Sequence, residues 1–207
     1  MKKAGTGAAG RWAPGGKAEA IVEGAMREFL AHGYAATSMD RVASAAGVSK
    51  ATVYSHFRDK EALFNSLVEH LAGERFRRVF SAVAARRRDE RPAATLRRLA
   101  LSLLEIARTD EHLVAFMRLI VGESGRFPEL ARAYVNHIAK PVIENLAGYL
   151  KSSPELKLRD PDATARVFMG TLVYFIIVQE VLHGKKLLPM KRERLVDSLV
   201  SLITNDG

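Results

Sequence analysis

A chain of 207 residues without cysteine excludes a disulfide framework, an iron–sulfur cluster and a thiolate zinc site, and suits a reducing compartment. Its 48% hydrophobic and 27% charged residues are the balance of a folded globular protein, with room for one sizeable domain or a small domain plus a larger one. The formal charge of +9 and pI near 10.0 favour a polyanionic partner, nucleic acid or an anionic membrane surface, and the excess grows toward the N-terminus: +4 over residues 1–60, +3 over 61–110 and +2 over 111–207.

Residues 1–16 hold Lys2, Lys3 and Arg11 among Gly and Ala, with no apolar core of signal-peptide length. They read as a flexible basic tail, able to reach a minor groove or phosphates, or to do nothing. Ala20, Ile21, Gly24, Ala25, Phe29 and Leu30 then form an apolar face at helical spacing that Gly33 closes. "TSMD" from Thr37 to Asp40 fits a capping box that opens a second helix through Val42, Ala43 and Ala46. Gly47 supplies a turn needing positive φ, and Ser49 an N-cap for a third helix. Asp59 caps a fourth, with Leu63, Leu67, Leu71, Phe64 and Val68 facing inward; the pattern continues through Phe76, Val79, Phe80 and Val83.

"RRRDERP" breaks the pattern before Pro92, and Arg86–Arg88 read as a solvated helix end. Leu96, Leu99, Leu103 and Ala107 mark the next helix, and "EHLVAFMRLIV" the one after. "GESGRFP" interrupts; a helix then starts near Pro128 and runs toward Leu150, kinked at Pro141. "KSSPELKLRDP" is a loop. An apolar helix over 161–183 ends at Gly184; its run Val167–Leu182 falls short of the roughly 20 residues a bilayer demands, so it reads as buried, with no membrane partner. A last helix from about Met190 carries Leu195, Leu199 and Leu202. No strand-like alternation is convincing, and the fold class is all-α.

The third helix carries the first functional hint. On a helical wheel of "SKATVYSHF", Val53 and Phe57 fall together as anchors, Ala51 and Ser55 fall opposite, and Lys50 with Tyr54, and Thr52 with His56, form the flanks. A small strip with hydrogen-bonding flanks fits a DNA major groove; it equally fits an ordinary solvated helix face.

The surroundings decide between them. "GYAATSMDRVASAAGVSKATVYSHFRDKEALF", Gly33 to Phe64, closely resembles the N-terminal helix-turn-helix domain of the tetracycline-repressor (TetR) family of bacterial regulators. Agreement is joint: Gly33-Tyr34, Thr37, Ala46-Gly47-Val48-Ser49-Lys50, Thr52, Tyr54, His56-Phe57, Lys60 and Leu63-Phe64. The close likeness covers about residues 19–71, and "GRFPELARAYV" looks like a segment of a subset of the family.

The resemblance implies a DNA-binding domain over 17–64 joined by a long fourth helix to a ligand-binding and dimerisation domain over 65–207. It implies that Thr37, Tyr54, His56 and Lys60 meet phosphates, that Ser49, Lys50, Ala51 and Thr52 stand at the recognition helix's N-terminal end near base edges, and that Tyr34 packs between helices. Ala51, where Gly is common in relatives, puts the operator sequence in doubt rather than DNA binding. It further implies a homodimer on a palindromic double-stranded operator, released by a small-molecule effector, in the bacterial cytoplasm and on the nucleoid when bound. Phe116, Arg118, Leu119, Tyr134, His137, Phe168, Phe175 and Gln179 are the candidates for an effector pocket, though such residues at helical spacing also make plain core. Tyr174, Val178, Leu182, Leu195, Leu199 and Leu202 are the candidates for a dimer face.

Other chemistry finds little support. His32, His56, His70, His112, His137 and His183 form no metal pair, Ser124 stands in no nucleophile elbow, and no phosphate-binding glycine loop is present. No cofactor is expected and the chain is not read as an enzyme; a helical-bundle enzyme with an appended DNA-binding domain, or a DNA-binding protein without effector, are the rival readings.

Overall fold

The computed structural model describes residues 16–73 and 90–204, and every regular element among them is helical. The helices are α1 (Lys17–Ala36), α2 (Met39–Ala46), α3 (Lys50–His56), α4 (Lys60–Leu71), α5 (Pro92–Thr109), α6 (Glu111–Glu123), α7 (Pro128–Tyr134), α8 (Lys140–Lys151), α9 (Pro161–Ile176) and α10 (Arg192–Thr204). The described chain groups into two compact units: 16–73 with Leu119–Ile138, and 90–118 with 139–204. The first unit therefore runs past residue 64 and takes in α7 and the end of α6. The expected tail apart from Gly16, the continuation of α4 through Val83 and the Arg86–Arg88 helix end lie outside the described residues.

In the first unit the glycine turns and the caps of α3 and α4 form as read. Gly33, at φ +76, breaks α1 where the apolar face ends. Ile21, Val22, Ala25 and Phe29 are buried, and α1 packs on α2, α3 and α4. Gly47 is left-handed (φ 67), its N–H bonds Ser44 O at 3.2 Å and the Val48 N–H bonds Ala43 O at 3.0 Å, a Schellman closure that aims the chain into α3. The cap of α2 is Ser38, one residue later than expected: its Oγ accepts from the Arg41 N–H. Asp59 caps α4, accepting from the Ala62 N–H at 2.7 Å.

Phe29, Tyr34, Phe64 and Phe127 form the unit's aromatic centre, with ring centroids 5.0–5.5 Å apart from Phe29–Tyr34 through Tyr34–Phe127. Burial there pushes the Tyr34 phenol up to about 12. Tyr34 is thus a packing residue, as implied.

In the second unit α5, α8, α9 and α10 share one core of Leu96, Leu103, Leu146, Phe168, Leu172, Val196 and their neighbours. A π turn at Val135–Ala139 precedes Pro141, the second residue of α8; the widened turn accommodates a ring that can neither donate an N–H nor approach the carbonyl one turn back. The apolar segment Pro161–Val181 has 21 residues and mean hydropathy 1.4, so it is long and apolar enough to cross a membrane, contrary to the shorter count from sequence. Its inner face, Ala165, Phe168, Leu172 and Ile176, sits in this core. Leu199 is a correction too: it is 4% exposed and belongs to the same core, so it is not a surface seam residue.

Arg108 from α5 and Arg192 from α10 both donate to the Glu105 carboxylate, and hold it at about 2 against an ordinary 4.5. Between pH 4.5 and about 2 the unfolded chain takes up a proton that folded Glu105 refuses. The clamp's contribution is complete above that window and is lost as pH falls through it. The urea midpoint of the wild type should therefore drop more between pH 5 and pH 3 than that of Glu105→Gln. Equal drops would show the clamp uncoupled from folding.

Candidate nucleic-acid interface

α3 lies on buried anchors, Val53 at 0% and Phe57 at 5% exposure, as the helical wheel requires. The opposite side is open: Ser49, Lys50, Ala51, Tyr54, Ser55 and His56 are exposed and Thr52 is half-buried. The Ser49 hydroxyl accepts from the Thr52 N–H at 3.1 Å and lies 2.9 Å from the Thr52 hydroxyl, so both fix the helix start. Ser55 donates to Thr52 O at 2.7 Å. Lys50 Nζ stands 2.8 Å from Asp40 Oδ1 and 5.9 Å from the Tyr54 ring centroid. The Asp40 carboxylate raises the Lys50 pKa and keeps it a cation. The pair is exposed, 60% and 63% at the side chains, so solvent screens it and it adds little to stability. The strip thus offers one methyl flanked by an ammonium, a phenol and an imidazole, donors suited to phosphate oxygens and base edges.

Two expected phosphate ligands are spent elsewhere. Thr37 is 2% exposed, and its hydroxyl faces Gly33 O at 2.8 Å and Glu28 O at 3.1 Å. Lys60 Nζ donates to Tyr34 O at 2.7 Å and Thr37 O at 3.0 Å, with Ala35 O at 3.4 Å, and sits 4.4 Å from the Tyr34 ring centroid. Partial burial lowers its pKa. Both act here as framework groups, donating to carbonyls at the end of α1 that have no helical partner.

Sequence reasoning passed over Ser38 and Arg58. Ser38 is exposed at the start of α2; it was hidden because Thr37 satisfies the same capping pattern through Asp40. Arg58, 86% exposed at its side chain and 2.7 Å from Asp59, follows the end of α3; its position directly after Phe57 was the available signal.

The eight effector candidates divide between the two units. Leu119, Tyr134 and His137 belong to the first unit and the other five to the second. Phe116 and Phe168 are fully buried. Arg118 donates to Glu180 O at 2.7 Å and Val181 O at 3.1 Å, closing the π turn Ile177–Val181. Gln179 donates to Leu188 O at 2.8 Å; only it and Phe175 line the cleft of about 620 Å³ in the second unit. Burial raises the Tyr134 phenol pKa. Among the described residues no acidic, His or Cys group could hold a metal ion.

Two family models match the chain: bacterial regulatory proteins of the tetR family over residues 21–67, and the C-terminal domain of AefR-like transcriptional repressors over residues 94–205. The HTH-type transcriptional regulator YhgD of Bacillus subtilis is 26% identical over 192 residues, covering 86% of this chain and 90% of its own. A TetR-family regulator from Mesorhizobium loti superposes with a TM-score of 0.76 at 26% identity, over 97% of this chain and 98% of its own. The flavonoid-responsive regulator FrrA does so at 0.72 and 31% identity, over 92% and 96%.

Lys60→Met separates framework from phosphate ligand. Leaving part-buried carbonyls without their donor should cost about 1 kcal/mol and lower the urea midpoint of the protein. The salt dependence of DNA affinity should stay as it is. Unchanged stability with a shallower salt slope would instead make Lys60 a phosphate contact.

Proposed function

The chain belongs to the TetR family of DNA-binding bacterial transcriptional regulators, and we propose that it is a cytoplasmic repressor that binds a palindromic operator as a homodimer and leaves it when a small molecule binds. The observation that carries this reading is the open face of α3 over its buried Val53 and Phe57. Lys50, Ala51 and Thr52 approach base edges at the N-terminal end of α3, and the Ala51 methyl suits a thymine methyl. Tyr54 and His56 bond phosphates on the two flanks, joined by Arg58 and the start of α2 at Ser38. The DNA-binding domain is residues 17–64, supported by 119–138.

Dimerisation rests on the outer faces of α9 and α10. Tyr174 is 64% exposed, Leu182 65% and Leu202 80%, with Val178 and Leu195 half-buried on the same stripes. Val167, 59% exposed, extends the stripe of α9. Pairing both helices with their copies makes a four-helix bundle and relates the two α3 helices by a two-fold axis, hence the palindrome. A response to a small molecule is supported by FrrA, which is flavonoid-responsive. In the first unit, Phe127 against Tyr34 gives any shift of the 119–138 segment a direct hold on α1 and α4.

Two experiments check this. If the dimer neutralises about 6–10 phosphates, log affinity should fall with log salt at a slope of about −5 to −9. Tyr54→Ala should weaken all sequences alike, whereas changes at Lys50 or Ala51 should alter sequence preference. Salt-independent binding, or a Tyr54→Ala protein that binds normally, refutes the interface. For the dimer, Leu202→Glu should sediment as a folded monomer at micromolar concentration and lose operator affinity. A variant that stays dimeric removes α10 from the interface. Leu199→Glu should instead unfold the second unit, since it places a charge in the core.

A further inference from the structure

We propose that the second unit holds a site for a small amphipathic anion, a carboxylate or phosphate head on an apolar body, in the cleft between α5, the 183–191 loop and the start of α10. The cleft's volume, about 620 Å³, falls within the roughly 300–1,000 Å³ typical of small-molecule sites. None of the operator-contact candidates lines it, and of the effector candidates only Phe175 and Gln179 do.

The walls are built rather than incidental. His183 takes a left-handed turn (φ 56), and a side chain on Gly184 would meet Val178 O at 2.6 Å, so the loop can start here only with glycine. The buried Gln179 amide holds the far end through Leu188 O, and Arg118 ties down the π turn from the other side. These contacts set the path of the loop, which places Pro189 and Met190 with Leu104 and Phe175 in the apolar part of the lining.

The charges divide into those already balanced and those not. Lys185 pairs with Glu180 at 2.7 Å. Arg108 and Arg192 are balanced by Glu105 and Glu193. Lys191 and Arg194 line the same cleft, are exposed, and have no carboxylate partner among the described residues. Two unanswered cations at the rim of an apolar hollow select a ligand with an anionic head and an apolar body. A bare anion would leave the lining wet, and a neutral apolar molecule would leave both cations unanswered.

Calorimetry on the full chain, without DNA, tests the site with octanoate, octyl phosphate, 1-octanol and inorganic phosphate. Reading binding on the free protein keeps its outcome separate from that of the repressor reading. Octanoate and octyl phosphate should each bind once per chain, at least about tenfold tighter than 1-octanol or inorganic phosphate, tenfold being 1.4 kcal/mol. Lys191→Gln with Arg194→Gln should remove about that tenfold and leave the melting temperature and 1-octanol binding unchanged. The proposal falls if octanoate binds no tighter than 1-octanol, if inorganic phosphate binds as tightly as octyl phosphate, or if the double variant binds octanoate like the wild type.

Discussion

The first unit depends on how the end of α1 is closed. A helix leaves its last carbonyls without partners, and Gly33 turns the chain so that the carbonyls after it face inward. The Thr37 hydroxyl answers Gly33 O, and the Lys60 ammonium answers Tyr34 O and Thr37 O. Lys60 is the first residue of α4 and Thr37 lies just before α2, so one ammonium sets the starts of two helices. α2 then sets α3 through the Gly47 turn. The recognition face is positioned from behind, by groups that do not reach it. The Tyr34 ring lies against the same ammonium and joins the Phe29, Phe64 and Phe127 cluster, so the polar clasp and the aromatic core hold one another.

What was legible in the sequence is what is decided locally. The break at Gly33, the turn at Gly47 and the caps at Ser49 and Asp59 involve residues within a few positions of each other, and each forms as read. The anchor role of Val53 and Phe57 follows from helical period alone. The roles of Thr37 and Lys60 were read from the family pattern, and the structure redirects both. Lys60 finds its carbonyls 23 and 26 residues upstream, and no local rule shows that a lysine at a helix start faces inward.

Leu199 illustrates a second kind of ambiguity. α10 carries leucines at 195, 199 and 202, and also Val196, Val200 and Ile203. Periodicity shows two apolar stripes without saying which is covered by the same chain. Packing on α5 and α9 takes Val196, Leu199, Val200 and Ile203, and leaves Leu202 outside. α9 divides in the same way, with Phe168, Leu172 and Ile176 inward and Val167 and Tyr174 outward. Its overall hydropathy, high enough for a membrane span, is the sum of these two faces. Two effector candidates show a related ambiguity: Phe116 and Phe168 are fully buried, and large side chains at helical spacing fill a core as readily as they line a pocket. Arg118 and Gln179, chosen for their polarity, turn out to tie backbone carbonyls.

The cations beside α3, on the proposed operator surface, are held by exposed pairs that do not carry the fold. Lys50 is held by Asp40 from α2, and Arg58 by Asp59 at the start of α4. Asp59 also accepts from the Ala62 N–H, and this bond together with Arg58 lowers its pKa. Asp59 therefore keeps its structural bond when Arg58 leaves. Asp40 is exposed and, once Lys50 turns away, is rehydrated at little cost. Exposed pairs of this kind are screened by solvent and add little to stability, and a phosphate offers a comparable or better partner. The carboxylates thus orient the long side chains toward the surface while remaining weak enough to be displaced. A buried ion pair in either place would have resisted that exchange by the several kcal/mol that an uncompensated buried charge represents. Exposure is what lets the same residues be ordered in the free protein and available to a polyanion.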